Sequence, residues 1–497
     1  MPAAVLAVDQ GTTGTTAVVL GPDGSVLSRA YRELPQHFPQ PGWVEHDPEQ
    51  IWRSVVEAIT ETIALAPIAA RDLAALGLTN QRETTVVWER ASGRPVYPAI
   101  VWQSRQTAEL CRQLERDGHA ENVQRRTGLV IDAYFSGTKV RWILDRDPTL
   151  RRRAERGELC FGTVDSWLLW RLTAGAVHAT DPTNACRTLL FNIHRQAWDD
   201  DLLELLAVPR AMLPKVAPAS AHRFGETAAV DGLPAGVPIA GIAGDQQAAL
   251  YGQGCHTVGA AKNTYGTGCF LVMHTGDAPA ETESGLLTSL ACDPRGEPAY
   301  CLEGSIFSTG SSVQWLRDAM GLIDDAAQSE ALARSVEDTA GVYMVPALSG
   351  LGAPYWDMDA RGMIWGLTRG SGRAHVVRAV LESIAYRSRD VLDLMSEEAG
   401  CDLEKLRVDG GACANDFLMQ FQADITAVPI ERPRMIETTV LGAAFLAGLE
   451  VGFWSDPSEL DAARRLDRRF EPAMDVERRE ALYAGWREAV ERALSRS

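Results

Sequence analysis

The chain has 497 residues, 46% hydrophobic and 23% charged, enough for two to four domains with a core in each. Its 48 Lys and Arg against 66 Asp and Glu leave a net charge of −18, which argues against nonspecific nucleic-acid binding, where cations must neutralise phosphates. No run of about 18 apolar residues and no basic, apolar leader is present, so neither stable membrane insertion nor a signal peptide is expected.

The chain opens with an apolar stretch over 3–8 and another over 17–20, which read as two strands of a hairpin. Between them Gly11–Thr16 is a Gly/Thr turn; such a turn is either plain or a nest of N–H groups that holds a phosphate. It lacks the Gly-Lys-Ser/Thr of a P-loop. Pro48–Ala66 has helical spacing, with Asp47 as its N-cap. Leu73–Leu78 reads as a strand that runs out into Arg82 and Glu83, either a surface pair of little worth or a donor and an acceptor for a polyol. Ile100-Val-Trp102 ends another short apolar run with an aromatic ring.

Residues 103–235 are less informative. Tyr134 precedes a helical Val140–Leu144, where a Tyr is more often core than ligand, and Arg151–Arg153 reads as a solvated face. Gly232–Pro238 is a turn-rich link into the run Val237–Ala243, which ends at Asp245. A carboxylate there sits at a strand end, where open α/β sheets bind ligands; it either takes a proton from a small molecule or caps the following helix, Gln246–Gln253. Asp9-Gln and Asp245-Gln each follow an apolar strand about half a chain apart, which suggests two similar halves facing across a cleft.

A second Gly/Thr turn lies within Ala260–Val272. Gly304–Leu316 is a Ser/Gly turn opening a helix that contains Gln314, and free N–H groups at its start suit a phosphate or a ribose. Ala374–Glu398 is a long amphipathic helix stopped by Gly400. Leu406–Gly411 is a strand ending in a third Asp-Gly turn, followed by a helix opened by Ala414-Asn415. Thr438–Leu449 is a helix rich in Ala and Gly, and Glu477–Ser497 a charged tail helix. The nine cysteines form no C-x-x-C and no zinc-spaced cluster, so reduced thiols in a cytoplasmic protein are expected.

Asp9-Gln-Gly-Thr-Thr, Asn80-Gln-Arg-Glu-Thr-Thr, Tyr134-Phe-Ser-Gly-Thr-Lys, Gly244-Asp-Gln-Gln, Ala261-Lys-Asn-Thr-Tyr-Gly-Thr-Gly and Asp409-Gly-Gly-Ala form an ordered set. It resembles the FGGY carbohydrate kinases of the actin-like ATPase superfamily, and within them the members that phosphorylate glycerol. The resemblance implies an α/β fold of two ribonuclease H-like domains across a catalytic cleft. It places glycerol binding and the phosphate hairpin in 1–252 and adenine-nucleotide binding in 253–497. It implies ATP and Mg²⁺ as cofactors, glycerol as partner, and a homodimer or homotetramer. Asp245 matches the catalytic base. Arg82, Glu83, Trp102, Tyr134, Asp245, Gln246 and Phe270 match substrate contacts. Thr12, Thr13, Gly14, Thr16, Thr267, Gly310, Gln314, Gly411 and Asn415 match nucleotide contacts, with Asp9 and Asp245 near the metal.

Two departures stand out. Gly14-Thr-Thr16 replaces the Ser-Ser-Arg usual after the second threonine, so a cation near the transferring phosphate is missing. Gly232–Gly236 lacks the Arg of the family's fructose-bisphosphate site, so inhibition by that sugar phosphate is not expected. Another FGGY kinase acting on a sugar or polyol, and a degenerate regulatory ATPase, are the competing readings.

Overall fold

The computed structural model describes residues 4–282, 284–357, 359–460 and 464–495. Ala3 of the expected first strand, and Arg496 and Ser497 of the expected tail helix, lie outside them. The chain folds as two α/β halves, each built on one mixed sheet.

The first sheet contains β1 (Ala4–Gln10), β2 (Gly14–Leu20), β3 (Val26–Glu33), β4 (Leu73–Asn80), β5 (Ala221–Glu226) and β6 (Pro238–Gly244) in the order β5-β6-β4-β1-β2-β3. β1, β2 and β3 are an antiparallel meander, while β4 and β6 run parallel to β1. The first turn is shorter than expected: the strand resumes at Gly14, and only 11–13 connect β1 to β2. β-Branched Thr15 and Thr16 favour the extended form and are paired on both sides, by Gln10 and Asp9 of β1 and by Arg32 and Tyr31 of β3. α1 (Pro48–Leu65) covers this sheet, its N-cap Asp47 accepting from the Glu49 N–H as the spacing predicts.

The second sheet contains β7 (Ala261–Tyr265), β8 (Cys269–Gly276), β9 (Leu287–Cys292), β10 (Pro298–Ile306), β11 (Leu406–Asp409), β12 (Ile430–Pro433) and β13 (Leu466–Phe470) in the order β9-β10-β8-β7-β11-β12-β13. It repeats the pattern: β7, β8 and β10 are antiparallel, and β11 and β12 run parallel to β7. The internal symmetry is therefore real, but its register differs from the one expected. Asp9 and Asp245 do not mark corresponding points of two halves. They end β1 and begin the helix after β6 in a single sheet, with β4 between them. The counterpart of the β1–β2 turn is Gly266–Gly268 between β7 and β8, and Asp409 of β11, paired with Thr264, is the counterpart of Thr79 of β4, paired with Asp9.

Helices join the halves. α2 (Ser136–Asp145) lies in an insertion of the first half. α3 (Asp245–Gly252) leaves β6 and packs on β7, β8 and β9 of the second sheet. α4 (Gly310–Asp318), α5 (Arg373–Ala399) and α6 (Asp416–Thr426) belong to the second half, and α5 ends at Gly400 in the left-handed conformation expected of a stop. α7 (Thr438–Glu450) crosses back onto β1, β4 and β6 and lies against α3. A Cβ at Gly442 would overlap the carbonyl oxygen of Ala248, so these two backbones touch with no side chain between them. The chain closes with α8 (Val476–Ala493), one residue earlier at its start than expected. No helix among the described residues is long and apolar enough to cross a membrane. All nine cysteines are free thiols, eight of them buried.

Candidate active site

Two cavities adjoin, the smaller lined by both halves and the larger by the second half alone. The smaller, 180 Å³, is lined by Thr12, Thr13, Arg82, Glu83, Trp102, Tyr134 and Asp245 of the first half and by Thr267, Gly268 and Phe270 of the second. The larger, 520 Å³, includes Thr267, Gly310, Gln314, Gly411 and Asn415 in its wall. Thr267 lines both, so the two spaces adjoin at the β7–β8 turn. Six of the seven residues expected at the substrate line the smaller cavity. The exception, Gln246, sits behind it with its side-chain oxygen taken by the ammonium of Lys262.

The smaller cavity has one aromatic and one charged side. Trp102 packs edge-on to Tyr134 at 5.5 Å and to Phe270 at 5.9 Å, and its indole N–H donates to the Thr12 hydroxyl at 2.8 Å. This wall is assembled from both halves. Arg82 and Glu83 also line the cavity, 2% and 1% exposed. They are not a surface pair. Glu83 adopts a left-handed φ of 58°, a strained conformation for a non-glycine residue and one that clusters at functional sites. Its carbonyl oxygen is pinned by the Ser136 hydroxyl at 3.1 Å and the Lys139 ammonium at 3.1 Å, both from the start of α2.

Asp245 is the first residue of α3 rather than the residue before it, and it both lines the cavity and serves a backbone N–H at the start of the helix. Its carboxylate accepts from the Gln246 N–H at 2.7 Å and lies 3.1 Å from Nε of Arg82. Desolvation raises its carboxyl above the usual range, while Arg82 and Lys262 oppose that rise. Asp9 sits at the end of β1. One of its carboxylate oxygens is buried without a hydrogen-bond partner, and burial, followed by the charges of Asp245 and Glu437, pushes its carboxyl up to about 8.

Some expectations need correction. The start of α4 offers no free N–H row: Gly310 and Ser311 donate to Gly266 and Thr267 carbonyls at 3.1 Å each, and Ser312 donates to Thr309 at 3.0 Å. Those bonds lash the β7–β8 turn to α4 and thereby shape the place where the cavities join. Gly14 and Thr16 line neither cavity: Gly14 closes the first turn by accepting from the Gly11 N–H at 2.8 Å, and Thr16 lies within β2. Asn415 lines the larger cavity and also N-caps α6, accepting from the Leu418 N–H at 3.0 Å.

Sequence reasoning missed four charged residues. Lys262, fully buried on β7, donates to Gln246 and to the Thr264 hydroxyl. Lys139 anchors Glu83. Glu303 on β10 receives both terminal nitrogens of Arg82, at 2.6 and 2.7 Å. Arg187 donates to Glu83 at 2.6 Å. A lone Glu in the apolar run Ala299-Tyr-Cys-Leu-Glu303 is itself a signal, because a charge placed in a buried strand must have a partner.

Residues 4–252 match the N-terminal domain, and 261–451 the C-terminal domain, of the FGGY family of carbohydrate kinases. The chain is 58% identical over 490 residues to glycerol kinase 2 of Thermotoga maritima, covering 99% of this chain and 98% of that one. It is 56% identical over 491 residues to the glycerol kinase of Shewanella oneidensis, covering 99% of each. The solved glycerol kinase of Plasmodium falciparum with ADP superposes with a TM-score of 0.91 at 35% identity over 99% of each chain.

Proposed function

The chain belongs to the FGGY family of carbohydrate kinases, and we propose that it transfers the γ-phosphoryl group of ATP to a terminal hydroxyl of glycerol, with Asp245 taking the hydroxyl proton. The observation that carries the reading is the junction of the two cavities at Thr267, beside Asp245. The larger takes the nucleotide, through Thr267, Gly310, Gln314, Gly411 and Asn415. The smaller takes the acceptor. At 180 Å³ it falls below the roughly 300–1,000 Å³ of most ligand pockets and suits a three-carbon polyol.

Glycerol has three hydroxyls and no charge, so it needs fixed donors and acceptors together with an apolar wall. Arg82 donates and Glu83 accepts, while Trp102, Phe270 and Tyr134 cover the carbon chain. A pocket of buried polar groups rejects molecules that leave those groups unpaired. In the transfer step the hydroxyl oxygen forms a bond to the γ-phosphorus, its proton passes to Asp245, and the bond to the β-phosphate oxygen breaks to release ADP. Most of the rate comes from alignment and charge stabilisation, with the base contributing roughly 10²–10⁴-fold. The desolvation that raises the Asp245 carboxyl makes it a better proton acceptor. Thr12 and Thr13 on the first turn face the transferring phosphate, with Gly14 and Thr16 set behind them in β2.

Asp9 and Asp245 would hold Mg²⁺, which when bound neutralises phosphate charge. The unpartnered, buried oxygen of Asp9 suits a cation.

Glycerol-dependent consumption of ATP tests the proposal. A panel with xylulose and gluconate in place of glycerol is expected to give little turnover. Preferential phosphorylation of either sugar would overturn the assignment of substrate. A division of the chain near residue 252 is supported by the two matched spans, 4–252 and 261–451. A homodimer or homotetramer in a cytoplasmic setting completes the proposal; light scattering on the purified chain tests the first part.

A further inference from the structure

Behind the smaller cavity four buried ions are paired. Arg82 and Arg187, from the first half, face Glu83 of the first half and Glu303 of the second. All four are nearly or fully buried, none more than 2% exposed. Glu303 holds the centre. Its two oxygens take both terminal nitrogens of Arg82 in a fork at 2.6 and 2.7 Å, and one of them also lies 3.2 Å from Nη2 of Arg187. Arg187 then turns its Nε onto Glu83 at 2.6 Å and its Nη1 onto the Ser289 hydroxyl of β9 at 2.9 Å.

The direction of this arrangement matters. Arg82 and Glu83 reach the cavity, whereas Glu303 and Arg187 do not line it. Glu303 is on β10 of the second sheet, and Arg82 follows β4 of the first. One carboxylate of one half therefore fixes the donor of the other half directly, and its acceptor through Arg187. A guanidinium has many rotamers; a bidentate partner on a rigid strand selects one of them. The nucleotide cavity has no member of this set in its wall.

We propose that Glu303 is a positioning residue for the acceptor site, holding Arg82 and, through Arg187, Glu83 in the geometry that binds glycerol only when the two halves are together. The proposal rests on the glycerol kinase reading given above. It makes acceptor binding, rather than nucleotide binding, the event that depends on contact between the halves.

Two variants and the unaltered protein, assayed together, test it. Glu303→Asp keeps the charge balance but withdraws the carboxylate by one methylene. It is expected to fold, to raise KM for glycerol and lower kcat/KM for glycerol by about 10²-fold, the scale of a small misplacement in a site, and to leave KM for ATP unchanged. Glu303→Gln combined with Arg187→Met removes one charge of each sign. It is expected to melt near the parent temperature yet keep the raised KM for glycerol. Parental glycerol kinetics in either variant, or an equal rise in both KM values, would overturn the proposal and leave the cluster as a brace for the fold. If the unaltered protein does not phosphorylate glycerol, it is the functional reading that fails.

Discussion

Nε of Arg82 lies 3.1 Å from Oδ1 of Asp245, so the group proposed to orient the acceptor also steadies the group proposed to deprotonate it. The pairing works against desolvation: burial alone would keep the carboxyl protonated, and the guanidinium returns part of its acidity. The same Arg82 is held from behind by Glu303, so the base is fixed relative to both halves.

Replacing Asp245 with Asn is expected to lower kcat by about 10²–10⁴-fold, the usual worth of a general base, with glycerol binding much less affected. The carboxyl must be ionised to accept a proton. Burial raises its folded value and Arg82 opposes the rise, so kcat/KM for glycerol is expected to fall as pH drops and the carboxyl takes up its proton. A raised carboxyl stabilises the fold at low pH and loses that contribution as pH rises through the folded value. The Asn variant should therefore melt no lower than the parent at neutral pH. A kcat near that of the parent would exclude Asp245 as the base.

Lys139 is expected to matter for glycerol and not for ATP. Its ammonium bonds the carbonyls of Glu83 at 3.1 Å and Tyr134 at 2.7 Å, and burial lowers its pKa from 10.5 to about 7. The neutral amine still has two hydrogens, one for each carbonyl. Between about 7 and 10.5 the folded state binds fewer protons than the unfolded chain, so this group makes stability rise with pH across that window. Lys139→Met should abolish that rise in melting temperature and, by freeing the strained Glu83, raise KM for glycerol. An unaltered KM would show that the φ of 58° at Glu83 is maintained without the lysine.

Much of the molecule was legible in its sequence, and the gaps have physical causes. Caps and stops such as Asp47 and Gly400 act locally, so their helices were placed within a residue or so. The cavity-lining side chains occur in contiguous words that keep their meaning in isolation. What the chain could not show by itself was pairing across sheets. Asp9 and Asp245 look like a repeat because both follow apolar strands; only the strand order, with β4 between them, places them in one sheet. Glu303 and Arg187 are more than a hundred residues apart and acquire roles only when β10 meets the loop after residue 185. The N–H groups of α4 looked free because the β7–β8 turn that uses them is over forty residues upstream.

Position 16 lacks a cation of its own, but one stands beside it on the same sheet face. Thr16 pairs with Tyr31, and Val18 with Arg29, so positions 16 and 29 are diagonal neighbours on one face of the β2–β3 ribbon. Arg29 donates through Nε to Glu437 at 2.7 Å, and the charge of Glu437 reaches Asp9. Arg29→Ala is expected to lower kcat/KM for ATP by roughly 10- to 150-fold, the scale of one charged hydrogen bond of roughly 1.5–3 kcal/mol. Adding Thr16→Arg to that variant should recover most of the loss, whereas Thr16→Arg alone should change little. Steady-state kinetics in ATP decide; parental values for Arg29→Ala would remove Arg29 from the account.

Two glycine-to-alanine changes should separate stability from nucleotide binding. At Gly442 a Cβ would strike the Ala248 carbonyl, where α7 lies directly on α3, and neither backbone can yield without moving a sheet. Overpacking of this kind typically costs about 1–3 kcal/mol, so Gly442→Ala should lower the melting temperature. Because the same two helices join the halves, it should raise KM for glycerol more than KM for ATP. At Gly411 nothing lies within 4 Å of the added carbon, so the fold should tolerate it. That carbon would instead project at the wall of the larger cavity, in space proposed for the nucleotide. Gly411→Ala should therefore melt like the parent but show a raised KM for ATP alone. Thermal melts and two-substrate kinetics on the pair decide the matter: if Gly411→Ala destabilised the protein and left KM for ATP unaltered, the larger cavity would lose its assignment.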